Sequence, residues 1–295
     1  MQNTDANYQF QVGDVHIVAL SDGRVPATTR LLYPETPEEV WDAYRERFPE
    51  YYDGKGFWVN LGAFLVKSGS RTVLVDTGLG PHATWPTLWP DSPGALKGPA
   101  QLMNDMKTKG IAPEEIDTVF ITHLHGDHVG WNLTKDADSW KPTFPKARYL
   151  VQRADWERFT HPEFLDSGRR EAAERNYLPL QELGVLELLE GDQEVAAGLT
   201  AIHTAGHTPG HMSMLIASGS ERALVIGDIV SSPMQVAEPD WPYAPDTNPA
   251  QALETRHRVL DLAEHGDMTV IAGHMHRPNW GRLMRWEGRR YWQAL

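Results

Sequence analysis

The stretch Thr122-His123-Leu124-His125-Gly126-Asp127-His128-Val129-Gly130 constrains this chain more than any other. It crowds four imidazole or carboxylate side chains into six consecutive residues. Directly before it, Asp117 to Ile121 has the β-branched and aromatic character of a buried strand, so the cluster begins where a strand ends. On residual extended backbone His123 and His125 project to one side with Leu124 opposite, which lets two imidazoles converge on one cation. Gly126 lets the chain turn, and Asp127 with His128 can then reach the far side of that cation and serve a second. The segment alone therefore accommodates one or two divalent ions.

A fold that accepts it must bring further ligands to the same place. Three later strand ends offer one each: His207 in Thr204-Ala205-Gly206-His207, Asp228 in Ile226-Gly227-Asp228, and His274 in Ile271-Ala272-Gly273-His274. Each follows a glycine, which permits close approach of backbone to a crowded centre. A single histidine at a strand end is ordinarily a surface or hydrogen-bonded core residue, so these three gain their meaning from the cluster. Imidazoles and carboxylates around an open position make a catalytic metal site, and two such sites about 4 Å apart suit hydrolysis.

Several neighbours support either a functional or a plain structural role. Asp76, in Asp76-Thr77-Gly78, is a turn residue or a carboxylate that orients a ligand imidazole, and the second is favoured. His203, His211 and His276 lie near ligands and divide evenly between such support and ordinary structure, with His211 taken as a supporting residue. His16, His161, His257 and His265 read as surface. Of the 11 tryptophans most belong to a core, but Trp85, Trp89 and Trp241 sit in proline-rich loops near ligand strand ends and are assigned to the wall of an apolar substrate pocket.

Composition narrows the chemistry. The chain has no cysteine, which leaves nitrogen and oxygen ligands and excludes a thiol nucleophile. A formal net charge of -13 opposes binding to nucleic acid and favours a neutral or cationic small molecule, although Arg282 to Arg290 forms a local basic cluster. No segment has the apolar length of a membrane span, and the start Met1-Gln2-Asn3-Thr4-Asp5 lacks a secretory pattern, so a cytoplasmic location is the expectation. At 295 residues with 41% hydrophobic content, residues 1–295 are read as one domain with a sizeable core.

Strand patterns alternate with helical ones. Tyr8 to Leu20 reads as a hairpin about Gly13-Asp14, 34–52 as a helical insertion, and 61–67 with 71–75 as a second hairpin. Residues 82–97 read as a long loop. Helices are expected near 103–109, 154–159 and 250–264, and strands near 116–121, 147–152, 185–189, 199–203, 212–217, 223–226 and 268–272. Two β-rich halves with helices outside predict a four-layer α/β sandwich whose strand ends meet along one edge.

Taken in order, Asp76-Thr77-Gly78, the His123/His125/Asp127/His128 cluster, His207, Asp228 and His274 resemble the metallo-β-lactamase superfamily in its dinuclear hydrolase branch. The resemblance implies an αββα sandwich carrying two divalent metal ions, zinc before cobalt, manganese or iron. His123, His125 and His207 would hold the first, Asp127, His128 and His274 the second, and Asp228 would bridge them. The N-terminal hairpin, the tryptophan-rich loop and Gln152-Arg153-Ala154-Asp155-Trp156 are most similar to N-acyl-homoserine lactonases and methyl parathion hydrolase-like esterases. Some of those lactonases carry a tyrosine three residues after the bridging aspartate, where this chain has Ser231. The implied activity is cleavage of a lactone, aryl ester or phosphotriester by a metal-bridging hydroxide, with Asp127 passing a proton to the leaving group, in a homodimer formed through the N-terminal insertion. The rival readings are a mononuclear iron persulfide dioxygenase and a glyoxalase-type thioesterase.

Overall fold

The structure is a computed structural model that describes residues 8–51, 57–82, 84–85, 96–97, 100–137, 139–276 and 279–295. Side-chain alternation builds its layers. In the strand Arg71–Val75, Val73 and Val75 enter one apolar cluster while Leu74 enters another on the opposite face. Val73 and Val75 meet Ile17, Phe64, Phe120 and Leu150 from their own sheet and Ala201, Met212, Met214, Val225 and Ile271 from a second, which fixes the two sheets face to face.

The first sheet has seven strands in the order Gln9–Val12, Val15–Ala27, Phe57–Ser68, Arg71–Val75, Thr118–Phe120, Arg148–Gln152 and Leu186–Leu189. It starts antiparallel and turns parallel from Arg71–Val75 onward. The second, also seven-stranded, runs Gln193–Ala196, Leu199–His203, Met212–Ser218, Glu221–Val225, Thr269–Ile271, Trp280–Trp286 and Arg289–Ala294. The outer face of the first is covered by helices Leu102–Thr108 and Arg153–Thr160, through Leu102, Met106, Trp156 and Phe159 against Leu65, Leu74 and Tyr149. Outside the second lies helix Pro249–His265, where Ala252, Val259, Leu260 and Ala263 form the buried stripe at helical spacing. Its start is set by Asn248, whose side chain accepts from Gln251 N–H, and by Pro249 in the first turn. The sandwich is therefore αββα as the pattern predicts.

The N-terminal insertion is helical in short pieces, Thr29–Leu32, Glu38–Trp41, Asp42–Arg47 and Pro49–Tyr51, and its Leu32, Tyr33, Trp41 and Tyr44 extend the cluster beneath the second sheet. Several elements depart from the sequence reading, among them the hairpin Leu133–Asp136 with Ser139–Pro142, the strand Gln193–Ala196 and the helix Pro233–Ala237. The basic cluster Arg282 to Arg290 is the C-terminal hairpin, and its charge is neutralised locally: Arg282 pairs with Asp267, Arg285 with Glu264, Arg289 with Glu238, and Arg290 with Asp261 and Glu264. Residues 162–176, where no helix was read, form helical turns broken by Gly168 at φ +87°. Of the long loop, Thr84–Trp85 and Leu96–Lys97 pair as a ribbon, while the Trp85 side chain and Trp89 lie outside the described residues. No helix among the described residues is long and apolar enough to cross a membrane.

Candidate metal centre

The strand Thr118–Phe120 ends three residues before His123, and the short helix Gly126–Val129 carries Asp127 and His128. Leu124 turns into the helix-side core, leaving His123 and His125 together on the opposite side. Their ring nitrogens, His123 Nε2 and His125 Nδ1, are 3.1 Å apart, and His207 Nε2 lies 3.0 Å from the same His125 Nδ1. A second group faces this one: His274 Nε2 and His128 Nε2 lie 3.6 and 3.8 Å from Asp127 Oδ2. Asp228 stands between. Its Oδ2 is 3.4 Å from His207 Nε2 and 3.1 Å from His274 Nε2, and its Oδ1 is 3.4 Å from His128 Nε2. All seven predicted ligands thus meet at one edge of the sandwich, in three overlapping groups able to hold a metal ion.

The outward nitrogens show how the inward ones are presented. His128 Nδ1 lies 2.9 Å from Asp76 Oδ2, His207 Nδ1 2.9 Å from Asp246 Oδ1, and His274 Nδ1 2.8 Å from the Asn60 carbonyl oxygen. Each acceptor holds a proton on Nδ1, so the Nε2 lone pair points inward. His128 Nε2 is buried and faces only carboxylate oxygens, Asp228 Oδ1 at 3.4 Å and Asp127 Oδ2 at 3.8 Å, with no well-aligned hydrogen bond to either, as suits a donor atom prepared for a cation. The donor set, five imidazoles and two carboxylates without sulfur, fits a pair of borderline divalent ions.

Charge divides the two groups. Loss of solvation, reinforced by neighbouring imidazoles, pushes His123 and His125 well below the usual histidine range and keeps them neutral. The same desolvation acts on His274, but the Asp228 and Asp127 carboxylates outweigh it and raise it to about 9. His128 is raised for the same reason, with Asp76 adding to the pull. The carboxylates around the second group thus create a field that calls for positive charge.

The remaining predicted residues have defined places. Asp76 accepts from Thr122 N–H and Thr122 Oγ1–H, both at 2.8 Å, and its backbone is left-handed at φ +60°, a conformation that these bonds hold in place. His211 accepts the Asp228 N–H at Nε2, 3.0 Å away, while its Nδ1 meets Thr204 Oγ1. Gly227 is required at this approach, because at φ +53° a Cβ there would stand 2.5 Å from His211 Nε2. His203 reaches the Pro209 carbonyl, and His276 stacks on Tyr51 at 3.8 Å. Trp241 packs on Trp41, Tyr44 and Tyr33 under the insertion, and Tyr243 of the same loop is the ring that stacks on His207, at 5.8 Å and 25°.

Three buried acids frame the site without a role assigned from the sequence, Asp155 having been quoted only within the Gln152 to Trp156 segment. Asp155, at the start of helix Arg153–Thr160, accepts from Leu124 N–H, Thr208 Oγ1–H and Gly210 N–H, tying the His123 loop to the His207 loop. Asp22 accepts from Leu79, Gly80 and Leu102 N–H and from Trp131 Nε1–H, fixing the segment after Asp76. Asp246, besides meeting His207, is paired with buried Arg256 at 2.8 Å, and Arg256 Nε–H donates to the Ile229 carbonyl beside Asp228. An acid in the first helical turn is a readable signal for Asp155. Asp246 sits in a loop with no such mark. A recess of about 180 Å³ opens beside His125, walled by Leu124, Phe159, Phe164, Ala173 and Tyr177 with Arg169 among its lining residues.

Comparison with known proteins agrees with this architecture. Residues 62–274 match the family described as the metallo-beta-lactamase superfamily. An N-acyl homoserine lactonase of Bacillus sp is 26% identical over 224 residues, covering 72% of this chain and 79% of that protein. A crystal structure of the hydrolase AbOPH in the beta lactamase superfamily superposes with a TM-score of 0.82 at 28% identity, over 98% of this chain and 97% of its own. AidC, a dizinc quorum-quenching lactonase, shares the fold with a TM-score of 0.79 at 19% identity, over 97% of this chain and 96% of its own. The family and the His/Asp groups together support dinuclear divalent metal binding.

Proposed function

The chain belongs to the metallo-beta-lactamase superfamily, and from that premise we propose that it is a dinuclear metal-dependent hydrolase cleaving a lactone, aryl ester or phosphotriester of small size. One observation carries the reading: the Asp228 carboxylate reaches both groups, its Oδ2 near His207 and His274 and its Oδ1 near His128, so that seven donors form two adjoining poles around one shared ligand. In this proposal His123, His125 and His207 hold one ion, Asp127, His128 and His274 the other, and zinc is the first candidate for both. When bound, two such cations lower the pKa of a water and stabilise charge on the attacked and leaving oxygens.

The chain's own residues do the rest. Asp76, Asp246 and the Asn60 carbonyl fix three imidazole orientations before any substrate arrives. Asp127 is the more exposed of the two site carboxylates and is proposed to pass a proton to the leaving group. The recess beside His125 suits an apolar acyl or aryl group, which accords with a small neutral substrate for an acidic protein. Elemental analysis of the purified protein, joined to assays on lactones, aryl esters and phosphotriesters, tests the proposal. It predicts about two metal equivalents per chain and turnover of at least one class, abolished by chelation. A single iron with sulfur-dependent oxygen uptake would overturn it in favour of the dioxygenase reading.

A further inference from the structure

The recess beside His125 is not uniformly apolar. Leu124, Phe159, Phe164 and Ala173 supply much of its wall, and Asn176, the last residue of helix Arg170–Asn176, stands among them. Asn176 is only 6% exposed, and its side chain makes no hydrogen bond among the described residues. What stays accessible of it is a lining surface of the recess. The other polar side chains there are engaged. Tyr177 Oη donates to the Phe159 carbonyl at 3.0 Å, Arg169 donates to Ser167 and lies over the Phe164 ring at 4.9 Å, and His125 Nδ1 belongs to the first group of donors.

Burying an amide without a partner carries a cost that a leucine of similar volume would not. A ligand that brings a partner removes it. Size narrows that ligand. A purely apolar cavity of about 150 Å³ stays dry and admits one benzene ring, and this recess, at about 180 Å³, has room for a ring with one small substituent. Position narrows it further. Asp127, the proposed proton donor to the leaving group, belongs to the second pole and His125 to the first, so the recess falls on the acyl side of the cleaved bond.

We propose that Asn176 is a specificity-determining residue: the recess takes an acyl group that is apolar along its sides and carries a neutral acceptor, a carbonyl oxygen, where it meets the Asn176 amide. A pocket with apolar walls and one placed polar group selects in this way, because an analogue lacking the acceptor leaves the amide unpaired. The proposal rests on the hydrolytic reading above and names the substrate class of the same site.

Phenyl 4-acetylbenzoate and phenyl 4-isopropylbenzoate present a polar and an apolar tip of similar size. Their substituents also differ in electron demand, so the measure is how the ratio of their kcat/KM values changes between chains. Asn176→Leu should shift that ratio toward the isopropyl ester by about 10-fold or more, with metal content retained and melting temperature no lower. Calorimetric binding of the two free acids gives a readout apart from turnover: the parent chain should bind 4-acetylbenzoate more tightly, and Asn176→Leu should reverse the order. An unchanged ratio would overturn the proposal, as would a variant that lost both esters alike or lost metal, which would make the amide structural. If the parent chain hydrolysed neither ester, the hydrolytic reading would fail for this class and the acids alone would decide the role of Asn176. A parent chain that bound both acids equally, or neither, would then overturn it.

Discussion

The His123–His125–His207 group and the Asp127–His128–His274 group adjoin on the same strand ends, yet they are poised oppositely. The first consists of imidazoles that burial and mutual crowding hold neutral. The second keeps a carboxylate of its own, and the acids around it raise His128 and bring His274 to about 9. Asp228 stands between them, its Oδ2 near His207 and His274 and its Oδ1 near His128. The contrast teaches that the fold supplies geometry to both poles but charge mainly to one, with Asp228 lending the first pole its anionic share. A cation at the second pole replaces protons already favoured there, whereas the first pole depends on three well-aimed lone pairs.

The most damaging way to break this comparison is to remove what the poles share. Asp228→Asn keeps the side-chain volume and the backbone contact to His211 but takes the carboxylate from both groups. Turnover should fall by ~10³-fold or more, because several kcal/mol of charge stabilisation at the cations is lost, and elemental analysis should show depletion of both ions. Retention of both with normal turnover would remove Asp228 from the centre of the account.

A gentler change separates the poles through a residue that touches neither ion. Asp246 orients His207 and is itself held by Arg256. Asp246→Asn should weaken metal affinity by about 10–100-fold, the usual cost of losing such a partner, and chiefly at the first pole. Competition with a chelator would measure it. Equal weakening at both poles would show that the Asp246–Arg256 pair supports the site only as a whole.

The smallest effect is expected far from the site, at the C-terminal hairpin. Glu264 is held at about 2, below its ordinary 4.5, first by its hydrogen bonds to Arg285 and then, against the cost of burial, by Arg290. A carboxylate depressed on folding stabilises above its unfolded value, and that stability drains as pH falls from about 4.5 through 2. Glu264→Gln should therefore lower the melting temperature near neutral pH by about 2–4 °C, the size of a roughly 1 kcal/mol change in a chain of this length. The difference from the parent should vanish toward pH 2. A gap that persists there would assign the effect to packing.

These regions also differ in how far the sequence discloses them. His123, His125, Asp127 and His128 are adjacent in the chain, and His207, Asp228 and His274 each follow a strand and a glycine, so local pattern was enough to assemble them. Asp246 and Tyr243 come from an irregular loop between two helices, and only the folded chain brings them to His207. The C-terminal hairpin was legible in principle: Glu287-Gly288, at φ +48° and +80°, is a turn pair of the hairpin kind, but the arginines around it drew the reading toward a charged patch. Of their acidic partners, Asp261, Glu264 and Asp267 lie at the end of helix Pro249–His265 and just beyond it and Glu238 follows helix Pro233–Ala237, pairings no linear pattern reveals.

The central claim, two unequal cation sites sharing one carboxylate, is tested most directly by titrating zinc into the metal-free chain and into His207→Ala and His274→Ala. The account predicts two equivalents for the parent chain in two separable steps, and one equivalent for each variant with a different step missing. A parent chain that saturates at one equivalent, or variants that both still bind two, would contradict it.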